Sequence, residues 1–359
     1  MSDSEAVRCP AVWSPLTRAH DPGAEVWVGV STPGTEVAGR VDAIRASLVS
    51  AGHPLVEATA HDEDVLRRVH DPALVDHLAG AHERWMASGI VEMSGQDRVV
   101  PYFFATAGML DGLPSRPAVA AHALAGTYCY DTMTLVGPGT WTGARAAVDV
   151  ALTAVDLVTS GAPLAYALCR PPGHHVTRHA YGGSCYLNNA AVAAQALREA
   201  GHAKVAVVDV DAHHGNGTEA IFWDRGDVLY ASVHVDPAAG WFPHVVGFAT
   251  ERGTGQGTGA TLNVPLPPGT GDSPWCAAVA TLADAVRSFG ADALVVSLGV
   301  DAAADDPESP LQVGIGGYAD AGRILADLGL PTVAVQEGGY HLDSLGRLVA
   351  AHLATLGRR

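Results

Sequence analysis

The segment Lys204–Gly217, KVAVVDVDAHHGNG, joins a run of aliphatic residues to a cluster of carboxylates and histidines. Its first part, Val205–Val208, is continuously apolar, which is typical of a parallel strand that is buried on both faces of a sheet. The acids and histidines begin where this predicted strand ends. Because open parallel sheets bind ligands beyond the carboxyl ends of their strands, the segment predicts a fold class and the place of a site.

From Thr140 onward, short apolar runs alternate with longer segments of helical periodicity. This alternation predicts right-handed crossovers and a three-layer helix–sheet–helix α/β fold with a mainly parallel central sheet. The predicted strands are Ala162–Cys169, Lys204–Val210, Val228–Val233, Ala293–Leu298 and Thr332–Gln336. The predicted helices among them are Tyr186–Ala200, Asn216–Trp223, Ser273–Phe289, Gly317–Leu328 and Asp343–Leu356.

The first 139 residues are less regular, with helices predicted at Gly39–Ser50 and Asp71–Ala87. No linker or internal repeat divides the chain, so we expect residues 1–359 to form a single domain. The segment 89–127 is long and contains several prolines. A loop of this length in a compact domain is usually functional. We expect it to form an inserted arm at the site entrance or at a dimer interface.

Charge and composition exclude several classes of function. The chain of 359 residues has 21 Lys plus Arg and 38 Asp plus Glu, a net charge of −17, so we expect no nucleic-acid partner. No apolar run could span a bilayer, and the N-terminus shows no secretory leader. The five Cys are scattered without a CxxC pair, which argues against disulfides or a Cys-based metal site. These features predict a soluble cytoplasmic protein, without membrane contact, whose 17 His need an explanation.

Every predicted strand is followed by a His, a carboxylate or a Tyr. Because the carboxyl ends of parallel strands meet at one edge of the sheet, we expect these side chains to converge. Taken singly they have plainer explanations, since a strand-terminal Asp often caps the next helix and a lone His is usually a core residue. The converging set is His174, His175, Asp209, Asp211, His213, His234, Asp236, Asp301, Glu337 and Tyr340.

Three members of this set predict a metal centre. Asp211 and His213 are two residues apart and therefore point the same way on an extended segment. With Asp301 from another strand they offer oxygen and nitrogen ligands that suit a divalent transition metal, most simply zinc, with iron(II) or cobalt as alternatives. Three protein ligands leave one position open for water or a substrate carbonyl, as catalytic sites do.

The remaining residues of the set can carry acid–base chemistry. The tandem pair His174 and His175 can supply a base and an acid beside the metal. Asp209 can orient one imidazole, and the Tyr340 hydroxyl can donate to a developing oxyanion. These residue types together predict metal-assisted hydrolysis of an amide.

Five motifs in the chain indicate a family. They are RPPGHH (170–175), YGGSCYLNNAAVAAQ (181–195), VDVDAHHGNGTE (208–219), SLGVDAAADDP (297–307) and QEGGY (336–340). Together they resemble the arginase/deacetylase superfamily and, within it, the branch of histone deacetylases and acetylpolyamine amidohydrolases. The likeness is closest to the bacterial acetylpolyamine amidohydrolases and the class II-like deacetylases.

The resemblance implies specific metal sites. Asp211, His213 and Asp301 match the zinc ligands of the family. A structural monovalent cation, usually potassium, is implied close to them. The residues that match this second cation site are Asp209, Asp211, His213, Ser232 and Val233.

The resemblance also implies a division of catalytic roles. His175 matches the general base and acid, with Asn216 as its partner, and His174 matches the histidine that is paired with Asp209. Tyr340 matches the catalytic tyrosine of active members.

The implied substrate channel departs from the family pattern. Phe242 matches one of its two aromatic walls, but Ser184 stands where the second aromatic is usual. His122 and Met133 stand where acetylpolyamine-hydrolysing members have acids, so a distal ammonium of the substrate lacks its expected counter-charge. The residues matched to the channel are Gly183, Ser184, Phe242, Gly338 and Met133.

From residues and resemblance together we expect a zinc-dependent deacylase of a small N-acyl amine, such as an acetylated polyamine or another metabolite. We expect it to act as a homodimer or a larger homo-oligomer. A protein lysine deacetylase is the first alternative, and a non-catalytic ligand-binding protein on the same fold is the second.

Overall fold

A computed structural model describes residues 8–358 and has an eight-stranded, entirely parallel sheet at its centre. Its strands run in the spatial order β4-β1-β5-β10-β9-β6-β7-β8, while β2 and β3 form a separate antiparallel hairpin. The strands are β1 Ala11–Trp13, β2 Glu25–Trp27, β3 Val30–Thr32, β4 Leu55–Glu57, β5 Leu164–Ala167, β6 Val205–Asp209, β7 Val228–Val235, β8 Thr261–Leu266, β9 Ala293–Leu298 and β10 Thr332–Gln336.

Helices cover both faces of the sheet. They are α1 Gly39–Ser50, α2 Asp64–Val69, α3 Pro72–Met86, α4 Ile90–Ser94, α5 Ala107–Leu110, α6 Ala121–Tyr128, α7 Thr140–Thr159, α8 Asn189–Glu199, α9 Asn216–Phe222, α10 Asp272–Phe289, α11 Ile315–Ala326 and α12 Leu342–Leu356.

Alternate residues of each central strand enter two different cores. On β6, Val205 and Val207 pack with residues of α7 and α8, whereas Ala206 and Val208 pack with residues of α10, α11 and α12. Both faces of the strand are therefore buried, which explains why its sequence is continuously apolar. The predicted three-layer α/β fold with a parallel sheet is confirmed.

The strand order positions the site. β6 lies between β9 and β7, with Asp209 opposite Ser297 on one side and opposite Ser232 on the other. β10 lies on the far side of β9, and β5 follows it. Because all five strands are parallel, the segments that follow them emerge at the same edge of the sheet.

The predicted strands are all present, but three further strands of the sheet were not predicted. β1 and β4 have three residues each, too few to show a period, and β8 is an edge strand that contains Pro265. Helix α7 was also missed, and most of its residues are buried. The predicted helix from Tyr186 begins only at Asn189, because the side chain of Asn188 caps it by accepting from Ala191 N at 2.9 Å.

The segment 89–127 is not one structureless loop. It contains α4, α5 and most of α6, joined by irregular chain. Within residues 8–358, no helix combines the length and the apolar character needed to cross a bilayer.

The contact between α11 and α12 encloses the titratable side chain of His352. Its ring is fully buried, and Nδ1 lies 3.0 Å from the carbonyl oxygen of Tyr318. Nε2 has no hydrogen-bond partner among the described residues. Burial lowers the pKa of His352 to about 4, against the opposing effect of the hydrogen bond to Tyr318.

We expect the variant His352→Asn to lose less stability in acid than wild type does. Asparagine keeps an N–H donor near Tyr318 but cannot be protonated. Since the folded-state pKa lies below the usual value, the neutral ring contributes stability at neutral pH that is lost as the pH falls from about 6.5 towards 4. At about pH 5 that loss amounts to about 2 kcal/mol. Urea unfolding of wild type and of His352→Asn at about pH 7.5 and about pH 5 gives the free energy of unfolding that each protein loses in acid. Equal losses in the two proteins would contradict the prediction.

Candidate active site

Three side chains converge beyond the carboxyl ends of β6 and β9. Asp211 and His213 follow β6, Asp301 follows β9, and one ligand atom from each lies within 4.8 Å of the others. His213 Nδ1 is 3.1 Å from Asp301 Oδ2 and 3.4 Å from Asp211 Oδ1. Two carboxylates and one imidazole in this arrangement fit a single metal ion, and their oxygen–nitrogen donor set suits zinc.

The electrostatics of these three groups also favour a bound cation. Burial and the negative charge of Asp211 raise the pKa of Asp301 to about 7. Burial alone would lower the pKa of His213, but its hydrogen bonds to Asp211 and Asp301 outweigh burial and raise it. Two carboxylates buried side by side require positive charge nearby, which a divalent ion would supply.

Backbone donors hold both carboxylates in place. Gly338 N donates to Asp211 Oδ2 at 2.9 Å, and Ala212 N donates to Asp301 Oδ1 at 2.8 Å. A β-carbon on Gly338 would overlap the Asp301 carboxylate and press on that of Asp211. Glycine is therefore needed here for close approach, and the residue lies against the metal ligands rather than along the channel to which its motif was matched.

The tandem histidines have different partners. His174 Nδ1 lies 3.0 Å from Asp209 Oδ2, and His175 Nδ1 lies 2.7 Å from Asn216 Oδ1. Their ring centroids are 4.0 Å apart. One ring therefore faces a buried carboxylate, while the other faces a neutral amide.

These partners separate the pKa values of the two rings. Burial alone would lower the pKa of His174, but the charges of Asp211 and Asp209 outweigh burial and raise it to about 10. Burial, reinforced by the charges of His174 and His213, lowers the pKa of His175 well below its usual value. These opposite shifts favour the protonated form of His174 and the neutral form of His175, which suits a general base.

Two residues that support the tandem pair were given no role in the sequence analysis. The buried Glu337 carboxylate accepts from Gly173 N at 2.7 Å and from His174 N at 3.1 Å. Tyr130 donates its hydroxyl to the carbonyl oxygen of His175 at 2.8 Å. Glu337 was placed in the converging set but was given no role, whereas nothing in the sequence around Tyr130 points to this contact.

Tyr340 lines the same cavity as His175 and His213. Its backbone N donates to Asp306 Oδ2 at 2.6 Å, and the guanidinium of Arg40 lies 4.9 Å from the centre of its ring. Burial raises the pKa of the Tyr340 hydroxyl well above its usual value, although Arg40 acts in the opposite direction. The hydroxyl therefore stays protonated and can donate a hydrogen bond.

The cavity that joins these groups is narrow, with a volume of about 70 Å³. Phe242 forms one wall, with its ring edge-on to His175 at a centroid distance of 4.7 Å. Gly183, Ser184 and Met133, which were matched to the channel, also line it. It further contains residues that the sequence analysis did not place there, namely Glu25, Thr35 and Glu308.

A larger cavity of about 990 Å³ is lined by Phe242 and Met133 as well, and by apolar residues of the β2–β3 hairpin. His122 lines neither of these cavities. Its ring lies 5.6 Å from that of Tyr102, at a separate cavity beside α4.

The residues matched to a structural cation also lie together. Asp209 at the end of β6 is paired in register with Ser232 on β7, and Val233 follows. Asp209 Oδ1 accepts from Asp211 N at 3.2 Å, and Ser232 Oγ lies 2.8 Å from His234 Nδ1. Asp209, Asp211, Ser232 and Val233 are buried, and Asp211 and His213 belong to both proposed ion sites.

Comparison with known proteins agrees with this architecture. The family model described as the histone deacetylase domain matches residues 35–356. The chain is 40% identical over 327 residues to the acetylpolyamine amidohydrolase of Mycoplana ramosa, covering 91% of this chain and 93% of that protein. It is 43% identical over 310 residues to the acetylpolyamine amidohydrolase of Burkholderia pseudomallei (strain 1710b), covering 86% and 87%.

A solved structure agrees as well. The crystal structure of acetylpolyamine aminohydrolase from Burkholderia pseudomallei matches with a TM-score of 0.91 and 38% identity, covering 97% of this chain and 98% of that one. The family that the five motifs indicated is thereby confirmed, and the chain belongs to the family of histone deacetylases and acetylpolyamine amidohydrolases.

Proposed function

We propose that this chain is a zinc-dependent deacylase that hydrolyses the amide bond of a small N-acyl amine of the acetylpolyamine class. The observation that carries the proposal is that His213, His175 and Tyr340 line one narrow cavity. A metal ligand, a neutral base and an oxyanion donor thus face the same space. The names of the similar acetylpolyamine amidohydrolases support the choice of substrate.

Asp211, His213 and Asp301 would hold the zinc ion, with iron(II) or cobalt as alternative metals. When bound, the ion would polarise the amide carbonyl and lower the pKa of water. A structural potassium ion is proposed at Asp209 and at the ends of β6 and β7, where the residues matched to it cluster.

His175 is proposed as the general base and acid. Since Asn216 Oδ1 accepts from its Nδ1, the other ring nitrogen keeps a free electron pair. That nitrogen can remove a proton from the attacking water and then deliver it to the leaving amine nitrogen. Asn216 holds the ring in the required tautomer and orientation.

The Tyr340 hydroxyl is proposed to donate a hydrogen bond to the oxyanion that forms when the amide carbonyl is attacked. The cationic ring of His174, which is fixed by Asp209, adds positive charge beside the same centre. Phe242 packs edge-on against His175 and forms one wall of the cavity, which would reduce the screening of these interactions by solvent.

We expect N-acetylputrescine to be hydrolysed with a higher kcat/KM than an acetyl-lysine peptide. His175→Ala and Tyr340→Phe should each lower kcat/KM by about 10²- to 10³-fold, because each removes a group used in the transition state. The exposed His179→Ala and Tyr102→Phe are matched controls that should keep activity. Full activity in His175→Ala or in Tyr340→Phe would overturn the mechanism. A higher kcat/KM for the acetyl-lysine peptide would favour a protein lysine deacetylase.

We expect Gly338→Ala to lose the metal while the protein still folds. Its β-carbon would displace the carboxylates of Asp211 and Asp301, so metal occupancy after dialysis should fall about 10-fold or more. Elemental analysis measures zinc per chain, with wild type expected to hold about one ion at this site. Gly271→Ala is the control, since its β-carbon would lie 3.6 Å from the nearest atom outside its neighbours, Gln312 O. Undiminished zinc in Gly338→Ala would refute the site.

A homodimer is proposed, with the segment 89–127 at the interface. Apolar side chains are unusually exposed there, including Tyr102 at 74%, Leu113 at 70% and Val119 at 91%. The nearby hairpin exposes Val28 at 82%. Such exposed apolar residues on one part of a surface are typical of a protein–protein interface.

We expect the double variant Tyr102→Glu and Leu113→Glu to halve the molecular mass in solution, because buried charges would oppose association. Leu16→Glu, at an exposed position outside this region, is the control and should leave the mass unchanged. Analytical ultracentrifugation gives the mass, and a wild-type monomer would contradict the proposal.

A further inference from the structure

A second group of potential metal ligands lies outside the site described above. His214 in the segment between β6 and α9, Glu219 on α9 and Glu251 in the segment between β7 and β8 each offer one ligand atom, and these three atoms lie within 4.8 Å of one another. His214 Nε2 is 3.6 Å from Glu219 Oε2, which is too far for a hydrogen bond. None of the three residues was assigned to the catalytic metal or to the structural cation.

The imidazole of His214 is completely buried, yet neither of its nitrogens has a hydrogen-bond partner among the described residues. The ring of His234, at a centroid distance of 4.6 Å, shows the ordinary arrangement. Its Nδ1 lies 2.8 Å from Ser232 Oγ, and its Nε2 lies 2.8 Å from the carbonyl oxygen of Gly247. A buried polar atom without a partner costs free energy, and coordination of a metal ion by an imidazole nitrogen removes that cost.

The two carboxylates are held in position by a shared donor. Asn263 on β8 donates its Nδ2 to Glu219 Oε1 at 2.9 Å and to Glu251 Oε2 at 2.8 Å. Gly247 N donates to the same Glu251 oxygen at 2.8 Å. No hydrogen bond from the described residues reaches Glu219 Oε2 or Glu251 Oε1, so each carboxylate keeps one oxygen that can bind a cation.

No Lys or Arg forms an ion pair with either carboxylate within residues 8–358. The adjacent Arg252 donates to the backbone carbonyl oxygen of Glu251 at 2.8 Å and not to its carboxylate. Burial, followed by the negative charge of Glu251, raises the pKa of Glu219 to about 7. Two carboxylates and one neutral imidazole match the charge and the ligand preference of a divalent transition-metal ion.

An ion can reach this group from solvent. Glu219 and Glu251 both line the larger cavity of about 990 Å³, which is also lined by Asn216. Asn216 and Glu219 are three residues apart on α9 and therefore lie on the same face of the helix. Since Asn216 Oδ1 lies 2.7 Å from His175 Nδ1, an ion bound at Glu219 would also hold the partner of the proposed base in place.

We propose that His214, Glu219 and Glu251 bind a second divalent transition-metal ion, most simply zinc, which is structural and distinct from the catalytic ion. It would connect the segment after β6, helix α9 and the segment before β8. The proposal concerns metal binding alone, so its success or failure does not depend on the deacylase function.

The test counts zinc ions per chain by elemental analysis, after dialysis of the holoenzyme at a fixed concentration of free zinc. We expect about two ions in wild type and about one in Glu219→Gln and in Glu251→Gln, because glutamine keeps an oxygen that can accept from Asn263 but loses the charge. The variant Gly338→Ala should keep the second ion alone. The control is Asp224→Asn, an exposed acid just after α9 that does not line the cavity; its zinc content should match that of wild type.

Thermal unfolding gives a second measure of the same site. In Gly338→Ala, which is expected to lack the catalytic ion, added zinc should raise the Tm, because an ion that binds only the folded chain stabilises it. Adding Glu251→Gln to Gly338→Ala should abolish this increase.

Each outcome has a distinct meaning. A wild type with a single zinc ion that Gly338→Ala removes overturns the second site and leaves the catalytic centre intact; the two acids would then share a proton. Unchanged zinc in both glutamine variants overturns the assignment as well. Loss of all zinc from folded Glu251→Gln would show that the two ions are not held separately, and it also overturns the proposal.

Discussion

The arrangement of the site depends on the buried carboxylate of Glu337. It follows β10 and accepts hydrogen bonds from Gly173 N, from His174 N and from Ser297 Oγ at 2.9 Å. One side chain therefore connects the ends of three adjacent strands. Burial raises the pKa of this carboxyl to about 7, a free-energy cost that its hydrogen bonds offset. Any shift of β10 relative to β5 or β9 would move the tandem histidines away from the metal ligands.

Neighbouring charges give chemically similar side chains of the site different properties. Two adjacent histidines behave differently because one faces Asp209 and the other faces the amide of Asn216. Two nearby carboxylates, Asp211 and Asp301, are tolerated only in the presence of positive charge. The same rule bears on Glu25 and Glu308, since no Lys or Arg is among the described residues that line the narrow cavity with them.

The sequence predicted the fold and the site best where an apolar strand pattern is followed directly by residues that can carry out chemistry. Five buried strands were visible as apolar runs, and the polar residues that end them are the ones that converge, as with Asp211 and Asp301. It was uninformative where partners meet only through tertiary structure. Glu25 follows no predicted strand and belongs to no motif, and its proximity to Glu308 depends on the path of the first 139 residues. Short edge strands such as β1 and β4 were missed because three residues show no period.

The order of the strands has a consequence for how the chain acquires its structure. β10 is the last strand along the described chain, yet it lies in the middle of the sheet between β5 and β9. Until it is in place, both neighbours present unpaired apolar edges, which favour association with other chains. A growing chain that lacks β10 therefore leaves both edges open, and chaperone binding during synthesis would protect the half-built sheet.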